Sequence, residues 1–396
     1  MNLTTLLNYM VVVHVFFLPL SRAGVSFFTV FLLLLWVIEG DFKNKASLLI
    51  KNKVVIAIVL FLAMNIVSLL WTNDVSSSLD YIRRYWYLLP IVVLYTSIKK
   101  EFIPIILSAF IMGMFISEVI SYGVYFDLWE FKHATKNNIS PFMHHIEYSS
   151  FLAFTALILL SRIFSVEDIK LKILYSFFFI TMSGNLFLTA GRTGQIALIL
   201  GLYVLALISF KNKFKAVFIS TVLTVLLVTA AYNYSTTFHD RVYDAINSTV
   251  NVIQSNDYCS SWGSRVGAYI TAQDIILEHP ILGAGISDNM DSFRNIVDMK
   301  YPYMKCIKSL QHMHNQYLQV VTQLGFVGLF FFLFIFYNLG SMKLVSKEFS
   351  NMKYLYLTVL TMAFIAEVLF HRAFSLALFS FVVGLLLAQN RVENEV

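Results

Sequence analysis

The sequence predicts an all-α polytopic membrane protein with about 12 transmembrane helices and one large external helical lobe between helices 9 and 10. Hydrophobic residues make up 58% of the 396-residue chain and charged residues only 13%, which excludes an ordinary water-soluble domain. Apolar runs such as 54–71 and 214–232 are near or above the length that crosses about 30 Å of hydrocarbon. The polar segment 233–315 interrupts this pattern and contains four of the nine histidines and both cysteines.

The apolar runs divide the chain into three parts. Residues 1–232 carry the first nine predicted helices, 233–315 form a periplasmic lobe with amphipathic helices, and 316–396 carry the last three helices. The fourth and the last runs are short, so a count one lower or one higher also fits the pattern. No cleavable signal peptide is expected, because only Ser21-Arg22-Ala23 separates the first two runs. The predicted spans are 5–20, 24–40, 54–71, 86–98, 102–122, 147–163, 172–189, 194–210, 214–232, 316–339, 354–370 and 374–389.

Positive charges in the short loops predict the orientation. When both termini are placed in the cytoplasm, most loop lysines face the cytoplasm, as the charge bias of membrane proteins requires. The lobe then lies outside. The net charge of +6 is explained mostly by this topology, so nucleic acid is not an expected partner. The cytoplasmic cations are Lys43, Lys45, Lys51, Lys53, Lys99, Lys100, Arg162, Lys170, Lys172, Lys211, Lys213, Lys215, Lys343, Lys347 and Lys353.

The lobe sequence predicts amphipathic helices. In 264–279, apolar residues recur at helical spacing, with Ser264 as the expected N-cap and Pro280 as the stop signal. Gly283-Ala284-Gly285 follows as a turn that allows close backbone approach. Such helices would lie against the membrane surface or the helix bundle.

Cys259 and Cys306 both lie in this external segment. In an oxidising periplasm they are able to form a disulfide. Sequence does not show whether their separation permits it, and two unpaired cysteines fit the pattern equally well.

Two arginines occupy helix positions that physical rules disfavour. Arg192 stands at the external start of the eighth helix, and Arg265 in the first turn predicted for 264–279. A cation there loses roughly 0.3–1 kcal/mol against the helix dipole, and the outer face is the unfavourable side for arginine. Guanidinium groups beside free N–H groups suit a bound phosphate or diphosphate. The alternative is that either arginine snorkels to lipid headgroups.

His314 lies where the lobe ends and the tenth helix begins. Its imidazole is suited to accept a proton from a sugar hydroxyl, although a surface histidine is more often an ordinary polar residue. No metal is predicted, because the pair His312 and His314 comes without a nearby carboxylate cluster. The secondary candidates are Asn315, Glu367, Arg372, His145 and Arg84. For the charged ones, pairing or headgroup contact is the alternative to a direct role.

Three ordered motifs carry a family resemblance. An arginine follows a small-residue turn in Ala190-Gly191-Arg192. The lobe contains Gly263-Ser264-Arg265-Val266 and then His279-Pro280-Ile281-Leu282-Gly283-Ala284-Gly285. It closes with His314-Asn315-Gln316-Tyr317-Leu318, which runs into Gln323-Leu324-Gly325-Phe326-Val327-Gly328. Together, over about residues 180–330, these motifs resemble the O-antigen ligase family, which shares a superfamily with O-antigen polymerases.

The resemblance implies a metal-independent glycosyltransferase of the bacterial inner membrane that acts on its periplasmic side without a cofactor. It would move a polysaccharide from undecaprenyl diphosphate to a sugar hydroxyl of lipid A–core by single displacement. Carried over by motif, Arg192 and Arg265 would hold the diphosphate, and His314 would activate or position the acceptor hydroxyl. Asn315 fits the polar position after the histidine. No nucleotide site is needed, and the sequence has no glycine-rich phosphate loop.

Two other functions fit parts of the pattern. An O-antigen polymerase would use the same donor with a lipid-linked repeat as acceptor. A transporter or channel is the alternative from another class, but the sequence has no evident inverted repeat and few charges within its helices.

Overall fold

The computed structural model describes residues 2–131 and 134–395, and within them it contains seventeen α-helices. The prediction of an all-α polytopic membrane protein is confirmed. Short 3₁₀ helices link several of the α-helices. The α-helices are α1 Leu3–Phe17, α2 Arg22–Glu39, α3 Phe42–Lys51, α4 Lys53–Val67, α5 Val75–Arg83, α6 Pro90–Ser97, α7 Ile103–Tyr125, α8 His145–Ser165, α9 Ile169–Leu188, α10 Arg192–Ser209, α11 Lys213–Tyr234, α12 Thr236–Ser255, α13 Ser261–Glu278, α14 Asp288–Lys300, α15 Gln316–Ser341, α16 Lys347–Ala366 and α17 Ala373–Asn394.

Nine helical segments of the described residues are long and apolar enough to cross a membrane. They contain α2, α4, α7 to α11, α15 and α17. The other three predicted spans fall on α1, which has 15 residues, on α6, which has 8, and on α16, which begins with Lys347 and Glu348. α6 is short because Pro90 starts it directly after a 3₁₀ helix and cannot donate a backbone hydrogen bond. The count of twelve spans stays a prediction.

α8 and α17 form the centre of the bundle, since 78% and 83% of their spanning residues are buried. α8 packs against α9, α10 and α16, while α17 packs against α6. A helix that is apolar on all sides needs such a central place. At their lobe-side ends the two helices are joined, because Glu147 of α8 accepts hydrogen bonds from the N–H and hydroxyl of Ser375 of α17. This junction lies beside the candidate site.

The segment after α11 folds around an apolar core of its own. Helices α12, α13 and α14 and the 3₁₀ helix Pro302–Ser309 form this lobe. A disulfide joins Cys259, just before α13, to Cys306 in the 3₁₀ helix, with a Cα–Cα distance of 5.6 Å. The sequence left open whether these two cysteines form a disulfide, and the structure shows that they do. The buried apolar residues of the lobe are Tyr258, Ala268, Ala272, Ile275, Met290, Phe293, Ile296, Val297, Met304, Ile307 and Met313.

The predicted start of the 264–279 helix was wrong by one turn. α13 begins at Ser261, and its N-cap is Ser260, whose hydroxyl accepts a hydrogen bond from the N–H of Gly263 at 3.0 Å. The hydroxyl of Ser264 instead donates to the carbonyl of Ser261. Because the earlier serine has the extended backbone that a cap needs, Arg265 lies in the second turn of the helix and not in the first.

The turn after α13 fixes the lobe to α15 by backbone pairing. The N–H of Ala284 donates to the carbonyl of Thr322 at 2.9 Å, next to a break in α15 at Gly325. Gly283 and Gly325 have φ of +72° and +64°, which favours glycine. A Cβ on Gly283 would lie 2.4 Å from the carbonyl carbon of Gln323. The predicted close backbone approach is confirmed, and it holds the lobe near the start of α15.

Candidate active site

His314 lies two residues before α15, which starts at Gln316 as the predicted span 316–339 does. Asn315 is the N-cap, and its side-chain oxygen accepts hydrogen bonds from the N–H groups of Tyr317 and Leu318. An amide oxygen satisfies these free N–H groups better than an imidazole does, which leaves His314 outside the helix. His314 has a left-handed backbone, with φ of +49°, a conformation that is uncommon for a residue other than glycine.

Glu367 lies at the centre of the candidate site. The sequence predicted it inside the helical span 354–370, and this prediction was wrong. α16 ends at Ala366, and the side chain of Glu367 is only 1% exposed. Its carboxylate oxygens lie 3.4 Å from Nδ1 of His314, 3.3 Å from Nε2 of His312 and 3.7 Å from Nη2 of Arg372. A buried carboxylate needs such partners, so the chain leaves the helix where they are available.

Burial and neighbouring charges determine the protonation states of Glu367 and His312. Burial raises the pKa of Glu367, but the neighbouring His314, His312 and Arg372 outweigh burial and bring this pKa down to about 2. Burial lowers the pKa of His312 to about 4, although the carboxylate of Glu367 opposes that shift. At neutral pH, therefore, Glu367 is ionised and His312 is neutral.

The hydrogen-bond geometry indicates where the imidazole protons lie. The N–H of His314 donates to Nδ1 of His312 at 3.3 Å, so a neutral His312 carries its proton on Nε2, towards Glu367. The Nδ1 atom of His314 faces the other carboxylate oxygen. A carboxylate beside Nδ1 favours a proton there, which leaves Nε2 of His314 free to accept one.

His312, His314 and Glu367 also have the composition of a metal site. One ligand atom from each lies within 4.8 Å of the others. The reason that the sequence offered against a metal, the lack of a carboxylate near the two histidines, is wrong because Glu367 supplies it. The expectation of metal-independent activity itself stays a prediction.

Arg192 and Arg265 belong to a cluster of three arginines. Arg192 is the first residue of α10, and its Nη1 donates to the carbonyl of Arg241 at 3.4 Å. Its charge interacts with those of Arg241 and Arg265 and with the carboxylate of Asp244. The charge of Arg265 also acts on His312, so this arginine interacts with both the arginine cluster and the histidines. Three guanidinium groups with one nearby carboxylate favour an anion.

Glycines before and after Arg192 explain how the arginine is held. A Cβ on Gly191 would lie 2.4 Å from the Cβ of Ser149, and one on Gly194 would lie 2.2 Å from the carbonyl oxygen of Ser149. α10 therefore packs directly on the backbone of α8. This close approach positions Arg192 beside the lobe-side end of the central helix.

The remaining candidates lie at the same end of the bundle. Arg84 donates through Nη1 to the carbonyl of His371 at 3.2 Å, and Arg372 contacts Glu367. His145 is the first residue of α8, and the preceding His144 is its cap. The charge of His145 interacts with those of Arg241 and Arg372. Apart from Asn315 and Arg84, the predicted site residues are therefore linked by contacts or charge interactions.

Part of this site lies in a segment that matches a known protein family. Residues 177–333 match the family model described as O-antigen ligase. These residues are an O-antigen ligase domain. The resemblance predicted from the motifs is thereby confirmed for a segment that contains Arg192, Arg265, His314 and Asn315.

The O-antigen ligase domain includes the lobe, the second half of α9 and most of α15. It indicates the O-antigen ligase and polymerase family, and hence a membrane glycosyltransferase that acts on lipid-linked glycans. No curated protein matches the chain. Glu367 and Arg372 lie beyond the matched segment, and the structure brings them to it.

Three cavities lie at or near the candidate site. An apolar groove of about 330 Å³ runs between α9 and α11 and is lined by Phe179, Ile180, Phe187, Leu188, Leu227 and Tyr234, among others. A polar cavity of about 360 Å³ is lined by His312, His371, Arg84, Gln323, Gln319 and Asp291, among others. A third, of about 370 Å³, is lined by Arg22, Arg84, His144, Glu147, His371 and Arg372, among others. The two polar cavities share Arg84 and His371.

The sequence indicated neither Arg241 nor Arg22 as a site residue, whereas it did indicate His144, beside His145 at the external start of a helix. Arg241 lies in the predicted lobe 233–315, where an exposed charge is the ordinary expectation. Arg22 and His144 each precede or begin a helix at the lobe-side face. The only signal for Arg22 was its position in a short loop on the side where cations are rare.

Proposed function

We propose that the protein is an O-antigen ligase of the bacterial inner membrane. It transfers a polysaccharide from undecaprenyl diphosphate to a sugar hydroxyl of lipid A–core at the periplasmic face. The observation that carries this proposal is the contact between His314 and the buried Glu367, beside the three clustered arginines. A base next to an anion site is what transfer from a lipid diphosphate requires.

His314 is the proposed general base. Glu367 holds the proton of His314 on Nδ1, so that Nε2 can take the proton of the acceptor hydroxyl. Asn315 supports this arrangement by capping α15, and its amide group also donates to the hydroxyl of Tyr269 of the lobe at 3.4 Å. This contact links the base to α13, the helix that carries Arg265.

Arg192, Arg265 and Arg241 are the proposed diphosphate ligands. Negative charge develops on the diphosphate as it departs, and fixed guanidinium groups stabilise that charge. Arg265 is held by hydrogen bonds from its Nη1 to the carbonyl and hydroxyl of Ser261 at 2.7 and 3.0 Å. A positioned guanidinium loses less entropy on binding than a freely moving one.

The apolar groove between α9 and α11 is a fitting place for the polyprenyl chain. Phe187 and Leu188, the last residues of α9, line it, and Arg192 begins α10 after the turn formed by residues 189–191. The hydroxyl of Ser235 donates to the carbonyl of Phe187 and caps α12, the helix that carries Arg241. A lipid in the groove would thus have its diphosphate near Arg192 and Arg241, which supports the assignment of this cluster to the donor.

The proposed reaction is a single displacement. The acceptor oxygen forms a bond to the anomeric carbon while the bond between that carbon and the diphosphate oxygen breaks. The electron pair of the broken bond leaves with undecaprenyl diphosphate, and the hydroxyl proton passes to His314. Attack from the face opposite the leaving group predicts inversion at the anomeric carbon.

The periplasmic location of the site is also part of the proposal. The disulfide between Cys259 and Cys306 is typical of an oxidising compartment, which supports a periplasmic lobe. The lysine-rich loops at the opposite ends of the helices support cytoplasmic termini.

A reconstituted transfer reaction tests the proposal. The purified protein in detergent with a chelator is given undecaprenyl-diphosphate-linked glycan and lipid A–core, and the attached product is separated by size. Transfer by the wild type and its loss in His314→Ala are expected. The reaction is repeated with a lipid-linked repeat in place of lipid A–core. Elongation of that repeat without transfer to lipid A–core would identify a polymerase.

A separate assay tests the transporter alternative. Liposomes that contain the protein are loaded with a solute, and its release is followed. Movement of a solute down its gradient, without sugar transfer to either acceptor, would exclude the enzymatic proposal.

A further inference from the structure

We propose that the cavity lined by Arg22, Arg84 and Arg372 binds a phosphate group of the acceptor glycolipid. This inference rests on the proposed function and adds a second anion site to it. The cavity has a volume of about 370 Å³ and lies on the side of Glu367 that Arg372 occupies. It is lined by residues of four segments that are far apart in sequence, so the arginines are brought together by the fold.

The cations of this cavity outnumber the carboxylates beside them. Three guanidinium groups line it, together with the carboxylate of Glu147, which is 6% exposed and already accepts two hydrogen bonds from Ser375. Arg372 also lies 3.7 Å from Glu367, but that carboxylate is shared with His312 and His314. Arg84 donates to a carbonyl and not to an acid, and Nε of Arg372 is buried without a hydrogen-bond partner. A buried N–H group without a partner is costly, and an anionic oxygen in the cavity would satisfy it.

Backbone donors add to this environment. Ala373 and Phe374, the first residues of α17, line the cavity, and the N–H groups at a helix start have no acceptor within the helix. His144, the cap of α8, lines it as well. Guanidinium forks together with free backbone N–H groups recognise phosphate oxygens better than they recognise neutral sugars.

The position of these arginines is unusual for a membrane protein. Arg22, Arg84 and Arg372 all lie in or next to short connections at the lobe-side face, where cations are disfavoured if that face is periplasmic. Arginine residues that only contacted lipid headgroups would be distributed around the periphery of the helix bundle. Instead, all three line one cavity that includes His371, a neighbour of the candidate catalytic cluster.

The cavity fits the acceptor better than the donor. The donor diphosphate is assigned to Arg192, Arg241 and Arg265, which adjoin the apolar groove between α9 and α11. In this second group Arg372 lies 3.7 Å from one carboxylate oxygen of Glu367, whose other oxygen lies 3.4 Å from Nδ1 of His314. An anion bound there belongs to a second molecule whose hydroxyl approaches the same histidine. A phosphorylated sugar of the acceptor has that chemistry, and so does a phospholipid headgroup.

Transfer kinetics with two acceptor forms test the inference. Lipid A–core is used as isolated and after enzymatic removal of its phosphate monoesters, with the wild type, Arg22→Gln and Arg84→Gln. Each substitution is expected to raise the KM for the phosphorylated acceptor about tenfold, the effect of losing one charge-assisted hydrogen bond. Each should leave the KM for the dephosphorylated acceptor and for the donor unchanged. Equal effects on both acceptor forms, or a raised donor KM, would overturn the inference.

Arg83→Gln is the matched control. Arg83 precedes Arg84 in the chain, but its side chain is 78% exposed and pairs with Asp80 at 3.2 Å, outside the cavity. Arg83→Gln should therefore behave as the wild type with both acceptor forms. A tenfold effect of this control would mean that general surface charge is responsible, which contradicts a specific site.

A binding measurement separates this inference from the proposed function. Phosphorylated lipid A–core is titrated onto His314→Ala and onto the same protein with Arg84→Gln, in nanodiscs of phosphatidylethanolamine with or without phosphatidylglycerol. Binding about tenfold weaker in the double variant, in both nanodiscs, is expected. No weakening overturns the inference, and an effect seen only with phosphatidylglycerol assigns the cavity to headgroups. Failure of transfer in the wild type would reject the proposed function without affecting this result.

Discussion

Nδ1 of His314 and a carboxylate oxygen of Glu367 lie 3.4 Å apart, although 53 residues separate them in sequence. One precedes α15, and the other follows α16. The carboxylate is buried and ionised, so it imposes an orientation on the imidazole. In the proposed mechanism this carboxylate keeps the proton of His314 on Nδ1, which is the tautomer that a base requires.

Glu367→Gln should lower kcat for transfer about 10²-fold to 10³-fold while the protein is expressed and inserted normally. Glutamine keeps the shape of the side chain, but it lacks the charge that favours the proton on Nδ1 of His314. Steady-state transfer assays check this, with Glu367→Asp as a control that retains the charge at a shifted position. A glutamine variant with the wild-type kcat would reduce Glu367 to a structural role.

Arg192→Ala should abolish chain attachment, and Arg192→Lys should retain little activity. A lysine keeps the charge but not the fork that binds two phosphate oxygens at once. The measurement is attachment of glycan to core lipid in intact cells, with protein level checked by blotting. Full activity of Arg192→Ala would show that this arginine only contacts lipid headgroups. Full activity of Arg192→Lys would show that the positive charge alone is sufficient.

Much of the fold could be predicted because its causes are local. The apolar runs, the loop lysines and the polar lobe follow from composition and length alone. The start of α13 could not be placed, since Ser260 and Ser264 are equally good caps by residue type and only the folded lobe distinguishes them. The shortness of α6 depends on Pro90, whose effect within a long apolar run depends on what packs around it.

The candidate site was predicted where a motif carries it and missed where only tertiary structure does. Arg192 and His314 each stand at a recognisable helix boundary, and Arg265 belongs to the motif Gly263-Ser264-Arg265-Val266 of the lobe. Glu367 was expected to lie inside a helix, because nothing in the sequence shows that its carboxylate meets His314. Arg241 gave no signal, since its partner Arg192 is 49 residues away.

Removal of divalent metals should leave transfer unchanged. In the proposed mechanism the arginines stabilise the diphosphate, and Glu367 orients His314 without an intervening ion. The test is transfer activity after prolonged incubation with a chelator, together with metal analysis of the purified protein. Loss of activity that zinc or another divalent ion restores would assign His312, His314 and Glu367 to a metal site.

Reduction of the disulfide should loosen the lobe before it affects the bundle. The bond between Cys259 and Cys306 closes a loop with a sequence separation of 47. In the chain-entropy model, cross-linking a loop of that length raises the free energy of unfolding by ~4 kcal/mol. Cys259→Ser with Cys306→Ser should therefore increase hydrogen exchange in α13 and α14 and leave α8 and α17 protected. Arg265 is on α13, so the KM for the lipid donor should rise in the same variant. Unchanged exchange in α13 would mean that the apolar core of the lobe suffices to hold Arg265 in place.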